Sequence, residues 1–271
     1  MENLEEYIVF QLLTRIKKSL SFNDKIYFLF DGDKIFEKAR KLETIVKNIL
    51  EQDMIDIDFI FDTFELSINK KLVMQEVAPN ITNPEDNTKF PIGTFFAVSQ
   101  KMKLLIAIDK KVIQKTIQVI KEENIVHDIA VNVSMLSIED NRFISWLNGE
   151  LLYNSDVTKY LVFSINTQTV ANNFTTFKSF IETIHKYESK VLLKRFTFDD
   201  ISKDKLETLD VDFIRIDQNF CTAIEGNHAK INTIKSLILY GQKNDVVILG
   251  DNIRENYDVE FVEGLGLYAT S

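Results

Sequence analysis

The chain has 271 residues, of which 45% are hydrophobic and 27% are charged, and its formal net charge is -9. This composition is typical of a soluble globular protein with a substantial core, and the negative charge argues against nucleic acid as a partner, because duplex binding needs a basic surface. The single cysteine excludes an intrachain disulfide framework. We find neither a signal peptide nor a membrane span and expect a cytoplasmic location.

The first 56 residues predict two helices and a short strand. Apolar residues recur every four positions from Leu4 to Leu20 and at helical spacing from Ile35 to Ile49, and Ile26–Phe30 between them is strand-like. This set is too small to fold as an independent domain. We interpret residues 1–56 as a small α/β N-terminal extension and residues 57–271 as the main domain.

The main domain opens with a predicted hairpin, Ile57–Phe61 and Lys71–Ala78, and continues with helices Ile92–Met102 and Ile108–Glu122. After these helices, strands and helices alternate. The predicted strands are Ile129–Val133, Tyr160–Ile165, Lys190–Leu193, Phe213–Ile216, Val246–Leu249 and Leu265–Ala269. The predicted helices are Ile138–Leu152, Phe177–Tyr187, a short helix near Leu206, Ala229–Tyr240 with Gly241 as its C-terminal cap, and Ile253–Val262.

About eight apolar strands, most of them followed by a helix, predict an α/β fold of the (β/α)8, TIM-like barrel type. An open, doubly wound sheet is the alternative. The chain has only 8 glycines and no glycine-rich phosphate loop, which disfavours a dinucleotide-binding fold.

Charged and amide side chains follow the predicted strands, and the carboxyl ends of parallel strands are where barrel proteins bind ligands. We therefore predict a ligand-binding pocket there. The alternative is that these are only solvated strand-end residues. The candidate residues are Glu76, Asn132, Lys194, Arg195, Arg215, Asp251 and Arg254.

Four segments of the main domain resemble EAL domains, a family of bacterial cyclic di-GMP phosphodiesterases. VNVSMLSIEDNRFISWL resembles the family's "NxS" strand and helix, and VDFIRID resembles its "vDxxKID" strand. PIGTFFAVSQKMKLLIAID and LGDNIRENYDVEFVEGLGLYA resemble its "FIPLAE…ID" and "AEGVE…GxxxxQGY" segments. The resemblance covers roughly Asp62 to the C-terminus and implies an EAL-type barrel. IYFLFDGDKIF in the extension is weakly similar to the "RxGGDEF" hairpin of diguanylate cyclases, which implies a truncated remnant or an unrelated helical cap.

The resemblance places the family's functional positions on this chain one at a time. Two metal ligands are kept, as Glu76 and Asn132. The other positions are substituted: Asn80 for an arginine, Ser164 for a glutamate, Lys194 and Arg195 for paired metal-binding aspartates, Arg215 for a lysine, Asp251 and Arg254 for glutamates, and Glu263 for a glutamine.

These substitutions put two cations where the family holds divalent metal ions. Two-metal phosphodiester hydrolysis needs several oxygen ligands around the metals, and positive side chains repel them. The resemblance therefore implies a catalytically inactive member in which Glu76 and Asn132 are vestigial ligands. We expect no cofactor. Mg or Mn would be needed only if the chain kept residual activity.

Three functional hypotheses remain open. The pocket binds cyclic di-GMP or another phosphorylated ligand through its cations. Alternatively, Lys194 and Arg195 pair with Glu76 and Asp251 and close the pocket, so that the chain regulates by binding a protein partner or by forming a homodimer. The third hypothesis is residual metal-dependent phosphodiesterase activity, yielding linear pGpG, if a register shift brings Asp199 and Asp200 into the site.

Most of the 21 phenylalanines are predicted to lie in the core. The sequence does not distinguish from them an aromatic ring that stacks on a guanine. Examples are Phe95, Phe96, Phe143 and Phe220.

Overall fold

The computed structural model describes residues 32–67, 69–253 and 256–271. The chain divides into two compact units, and the described part of the first is residues 32–54 and 81–103. The second unit comprises residues 55–80 and 104–271. The predicted helix Leu4–Leu20 and strand Ile26–Phe30, with most of the segment similar to the cyclase hairpin, lie outside the described residues.

The first unit contains two helices, α1 (Gly32–Glu51) and α2 (Ile92–Lys101). The two helices pack against each other, and their apolar stripes supply buried side chains such as Ile49 and Phe95. These helices confirm the helical spacing read from Ile35 to Ile49 and from Ile92 onward.

The second unit is a closed eight-stranded barrel in which the strands follow one another in chain order. The first strand runs antiparallel to the last, whereas the other neighbouring pairs from the second strand onward are parallel. The strands are β1 (Ile55–Glu65), β2 (Leu72–Ile81), β3 (Asp128–Asn132), β4 (Leu161–Asn166), β5 (Lys190–Phe196), β6 (Phe213–Ile216), β7 (Val247–Gly250) and β8 (Ala269–Thr270). The TIM-like barrel is thereby confirmed, with its first strand reversed by the predicted hairpin.

Helices follow most of the strands. They are α3 (Leu105–Glu122), α4 (Met135–Glu139), α5 (Asn141–Tyr153), α6 (Thr167–Ala171), α7 (Phe174–His185), α8 (Lys203–Leu206), α9 (His228–Asn244) and α10 (Asn256–Gly264). No helix in the described part of the chain combines the length and the apolar character needed to cross a membrane.

An apolar layer fills the inside of the barrel, with one buried side chain from each strand from β2 to β8. Its members are Met74, Ala130, Val162, Leu192, Phe213, Leu249 and Ala269, none of them more than 5% exposed. Because side chains alternate between the two faces of a strand, this layer fixes which other residues point inward.

Two helix predictions need correction. The predicted helix Ile138–Leu152 is two helices, because the Asp140 side chain accepts hydrogen bonds from the first amides of α5 and starts a new helix there. Gly241 is not the cap of α9: the helix continues to Asn244, and Asp245 adopts the left-handed conformation that ends it, with φ of 63°.

Candidate ligand site at the carboxyl end of the barrel

A polar layer lies directly above the apolar one. Advancing two residues along a strand returns to the same face, so each member of the apolar layer is followed by an inward-facing position nearer the carboxyl end. These positions are occupied by Glu76, Asn132, Ser164, Lys194 and Arg215, with Asp251 just past the end of β7. The structure thus brings five of the seven predicted pocket residues into this one layer.

Glu76 is the centre of this layer and is almost completely buried, with a side chain that is 3% exposed. Its Oε1 forms a salt bridge with Nη1 of Arg215. The ammonium group of Lys194 lies 3.7 Å from its other carboxylate oxygen. Arg215 also donates from Nη2 to the hydroxyl of Thr63 at 2.8 Å, across the barrel. The buried carboxylate is therefore neutralised by two cations from the chain itself.

A β-bulge separates the two adjacent cations of β5. The pairing of β5 with β6 shifts register between Leu193 and Phe196, so that both Lys194 and Arg195 lie opposite Arg215. Arg195 has a positive φ of 54°. Lys194 keeps the inward position that alternation from Leu192 gives it, and Arg195, the second residue opposite Arg215, is exposed. Among the described residues, no carboxylate lies within 4 Å of the Arg195 guanidinium.

The charges of the layer influence one another because they are partly or wholly removed from water. Burial and the nearby Arg195 lower the pKa of Lys194 to about 8, against the opposite effect of Asp251. Burial raises the pKa of Asp251, while Arg215 and then the two cations of β5 act to lower it. The site is a coupled set of three cations and two carboxylates, of which Glu76 is the more deeply buried.

Three buried polar atoms of the layer have no hydrogen-bond partner among the described residues. Oε1 of Glu76 has only its ion pair with Arg215, and Oγ of Ser164 and Nε of Arg215 are the other two. Asn132 pairs with Ser164 along the sheet and therefore lies beside these atoms. Its residue is exposed. Buried polar groups in proteins are nearly always hydrogen-bonded. These atoms are therefore available to a ligand or a water molecule in the mouth of the barrel.

The two aspartates of the register-shift hypothesis do not lie in this layer. Strand β5 keeps its register with β4, in which Asn166 pairs with Lys194. Asp199 is exposed in the turn that follows β5, and Asp200 accepts a hydrogen bond from Thr197 in the same turn. The structure places Lys194, not an aspartate, at the inward position.

Three other positions considered in the sequence are accounted for separately. Arg254 lies outside the described residues. Asn80 donates a hydrogen bond to Asp58 at 2.8 Å, and Glu263 is exposed on α10. Thr63, which contacts Arg215 directly, was missed by the sequence reasoning. The alternation of apolar residues along β1 was the signal that could have found it.

The residues of the mouth do not fit the divalent metal ions that the EAL resemblance implies. In the described part of the chain, no group of three or more histidine, cysteine, aspartate or glutamate side chains is arranged to hold a metal ion. The one buried carboxylate of the layer is already paired with Arg215 and Lys194. A metal ion would have to displace both cations to reach it.

Together, the fold and the site define a β/α barrel with a reversed first strand and a charged ligand site at the carboxyl ends of its strands. The model of the EAL domain family matches residues 64–269. The chain belongs to the EAL domain family.

Individual proteins similar to this chain share 22% or less of its residues. The chain is 22% identical over 164 residues to cyclic di-GMP phosphodiesterase PdeA of Borreliella burgdorferi, a match that covers 59% of this chain but only 24% of that relative. The EAL domain of Xanthomonas citri FimX in complex with cyclic di-GMP superposes with a TM-score of 0.76 at 14% identity, over 88% of this chain and 93% of that one. Vibrio cholerae LapD bound to cyclic di-GMP gives 0.74 at 15% identity, over 86% of this chain and 56% of that one. At such identities the structural likeness shows the fold alone.

Proposed function

We propose that this chain is a non-hydrolytic EAL domain protein that acts as a receptor for cyclic di-GMP. The observation that carries the proposal is the pairing of Glu76 with Arg215 and Lys194 at the mouth of the barrel. Hydrolysis by this family requires metal ions that generate the attacking hydroxide and stabilise the leaving oxygen. A mouth whose buried carboxylate is already neutralised lacks the negative charge that holds such ions.

The charge of the mouth supports binding of a phosphorylated ligand. Three cations, Lys194, Arg195 and Arg215, lie in or beside a layer that holds two carboxylates, Glu76 and Asp251. Arg195 is exposed and free of carboxylates among the described residues, and a guanidinium binds a phosphate through two parallel hydrogen bonds. The FimX and LapD structures, which share this fold, are described as bound to cyclic di-GMP.

Calorimetry with cyclic di-GMP tests this function directly. We expect heat of binding in the presence of a metal chelator, and weaker binding for Arg195→Ala. Lys243→Ala is the control, because Lys243 is 72% exposed at the far end of α9. In a separate mixture without chelator and with manganese, chromatography should show intact nucleotide. Release of linear dinucleotide overturns the non-hydrolytic assignment, and absence of heat at high micromolar ligand overturns the receptor role.

Restoring the acidic residues tests the explanation for the lack of catalysis. We expect manganese to leave the melting temperature of the wild-type chain unchanged. It should raise that of a variant with Lys194→Asp, Arg195→Asp and Ser164→Glu, because three carboxylates then join Glu76. Circular dichroism checks that the variant is folded. A manganese-dependent rise in the wild type would contradict the proposal.

A second function, regulation through a protein partner or a homodimer, is favoured by one specific observation. Donors of Lys194 and Arg215 already interact with Glu76, so a phosphate has to compete with an internal partner. In this case residues 1–56 would serve as a contact surface. Absence of heat with cyclic di-GMP, together with a stoichiometric complex recovered by pull-down from the native cytoplasm, would support this function instead of the receptor role.

A further inference from the structure

One face of strand β1 lines the mouth of the barrel. Thr63 is fully buried and its hydroxyl accepts a hydrogen bond from Arg215 of β6, so this side chain points into the barrel. Side chains two residues apart lie on the same face of a strand, so Phe61 and Phe59 share the face of Thr63. Because β1 runs antiparallel to β8, moving from Thr63 back to Phe59 leads toward the carboxyl ends of the other strands.

Phe61 and Phe59 differ from the core phenylalanines in their exposure. Phe61 is 47% exposed and Phe59 is 37% exposed, whereas Phe95 and Phe143 are fully buried. Exposed aromatic rings that are adjacent on one face form an apolar patch, and such patches mark binding sites. The exposures separate the rings of β1, including Phe64 at 40%, from the core aromatics, and the face of the strand then singles out Phe59 and Phe61 as the two on the side of Thr63.

The surroundings of this patch indicate the chemical class of its ligand. Below the rings lie the paired cations of the polar layer and the unpartnered Oγ of Ser164, and Arg195 is exposed at the same end of the barrel. A ligand that uses both features carries negative charge and a flat, apolar ring. Nucleotides have this combination, with phosphates for the cations and a base for the aromatic patch.

We infer that Phe59 and Phe61 form a stacking platform for a base of the bound nucleotide, while its phosphates contact the cations of the mouth. This inference rests on the receptor function proposed above. Side chains two residues apart on one strand face are roughly 7 Å apart, which leaves room for a planar ring against either phenylalanine. A phenyl ring has no hydrogen-bonding group, so the platform recognises the ring system and not the polar edge that distinguishes guanine from adenine.

Calorimetry on two matched variants tests the platform. Phe61→Ala removes a ring from the mouth side of β1, whereas Phe64→Ala removes a ring that is 40% exposed on the opposite face of the same strand. We expect Phe61→Ala to weaken cyclic di-GMP binding by roughly 5-fold to 100-fold, as for the loss of one stacked base, and Phe64→Ala to leave it unchanged. Phe61→Trp should retain binding, and its added fluorescence should change when the nucleotide is titrated in.

The outcomes separate failure of the platform from failure of the receptor function. If the wild-type chain gives no heat with cyclic di-GMP, both proposals are overturned. If the wild type binds and Phe61→Ala binds equally well, only the platform is overturned. A comparison with cyclic di-AMP provides a further test, because a platform that recognises only the ring should give the same fold loss for Phe61→Ala with both nucleotides. Equal melting temperatures of the two alanine variants would show that neither effect comes from unfolding.

Discussion

Replacing Glu76 by glutamine removes the negative charge that lies between Arg215 and Lys194 while keeping the size of the side chain. Glu76 and Arg215 are 3% and 4% exposed at their side chains, so the Arg215 guanidinium would remain buried without its carboxylate. Breaking a buried ion pair from one side costs about 3–5 kcal/mol. We expect the lower end, about 3 kcal/mol, because the glutamine oxygen still accepts a hydrogen bond and Arg215 keeps its contact with Thr63.

Urea unfolding followed by circular dichroism measures this loss. With an m-value of about 3 kcal/mol per M, the midpoint should fall by about 1 M. Glu263→Gln is the matched control: Glu263 is exposed, and its replacement should change stability by less than about 0.5 kcal/mol. In a cluster of like-charged metal ligands, the same Glu76→Gln change would relieve repulsion and raise stability. An unchanged or higher midpoint would therefore refute the internal ion pair.

Two further predictions concern the scaffold. The Nε2 atom of His185 lies 3.0 Å from Asp212, and this hydrogen bond raises the pKa of His185 above its ordinary 6.5. The stability that this pair contributes is fully present below pH 6.5 and is lost as the pH rises through the raised pKa of His185. His185→Gln should therefore lower the urea midpoint more at about pH 6 than at about pH 9. Equal decreases at the two pH values would contradict this. A methyl group at Gly241 would collide with the carbonyl oxygen of Val246, so Gly241→Ala should lower the free energy of unfolding, measured by urea, by about 1–3 kcal/mol. Gly149→Ala, with open space around it in α5, should be neutral or stabilising, and equal effects of the two alanines would refute the steric argument.

The barrel could be predicted from the sequence because its strands are short apolar runs separated by segments with helical periodicity. The bounds of β6, Phe213–Ile216, follow directly from such a run. The end of α9 could not be placed in the same way. Gly241 is a typical helix cap, but here a glycine is needed inside the helix because Val246 and Ile248 pack against it. A requirement for close packing and a requirement for a cap produce the same residue in the sequence.

The candidate site was predictable to the extent that it depends on strand ends. Glu76, Lys194, Arg215 and Asp251 were identified because each follows an apolar strand, and the structure places them at one end of the barrel. Which cation pairs with which carboxylate was not predictable. The hypothesis of a closed pocket paired Lys194 and Arg195 with Glu76 and Asp251. The structure places Lys194 beside Glu76, but the second cation on Glu76 is Arg215 and not Arg195.

The difference arises from the bulge in β5. Without it, regular alternation would already turn Lys194 and Arg195 to opposite faces, but the extra residue and the positive φ of Arg195 set where each cation ends relative to Arg215. Glycine is the usual residue at a positive φ, and an arginine there gives no signal in the sequence. Register shifts of this kind are long-range features, because they depend on how two strands pair and not on the residues of one strand.

The two layers of the barrel explain how one fold can keep its stability while the charge of its mouth changes. The apolar layer, whose members include Met74 and Ala269, contains no charged group. The free energy gained by burying it is therefore the same whatever charges lie in the layer above. The polar layer has a separate requirement, which is that its buried charges be balanced. A layer made only of carboxylates needs metal ions for that balance, whereas Glu76 is balanced here by Arg215 and Lys194. The buried carboxylate of the mouth is thus compensated without a bound ion, and Arg195, the exposed cation of the mouth among the described residues, is the group that a phosphate would meet first.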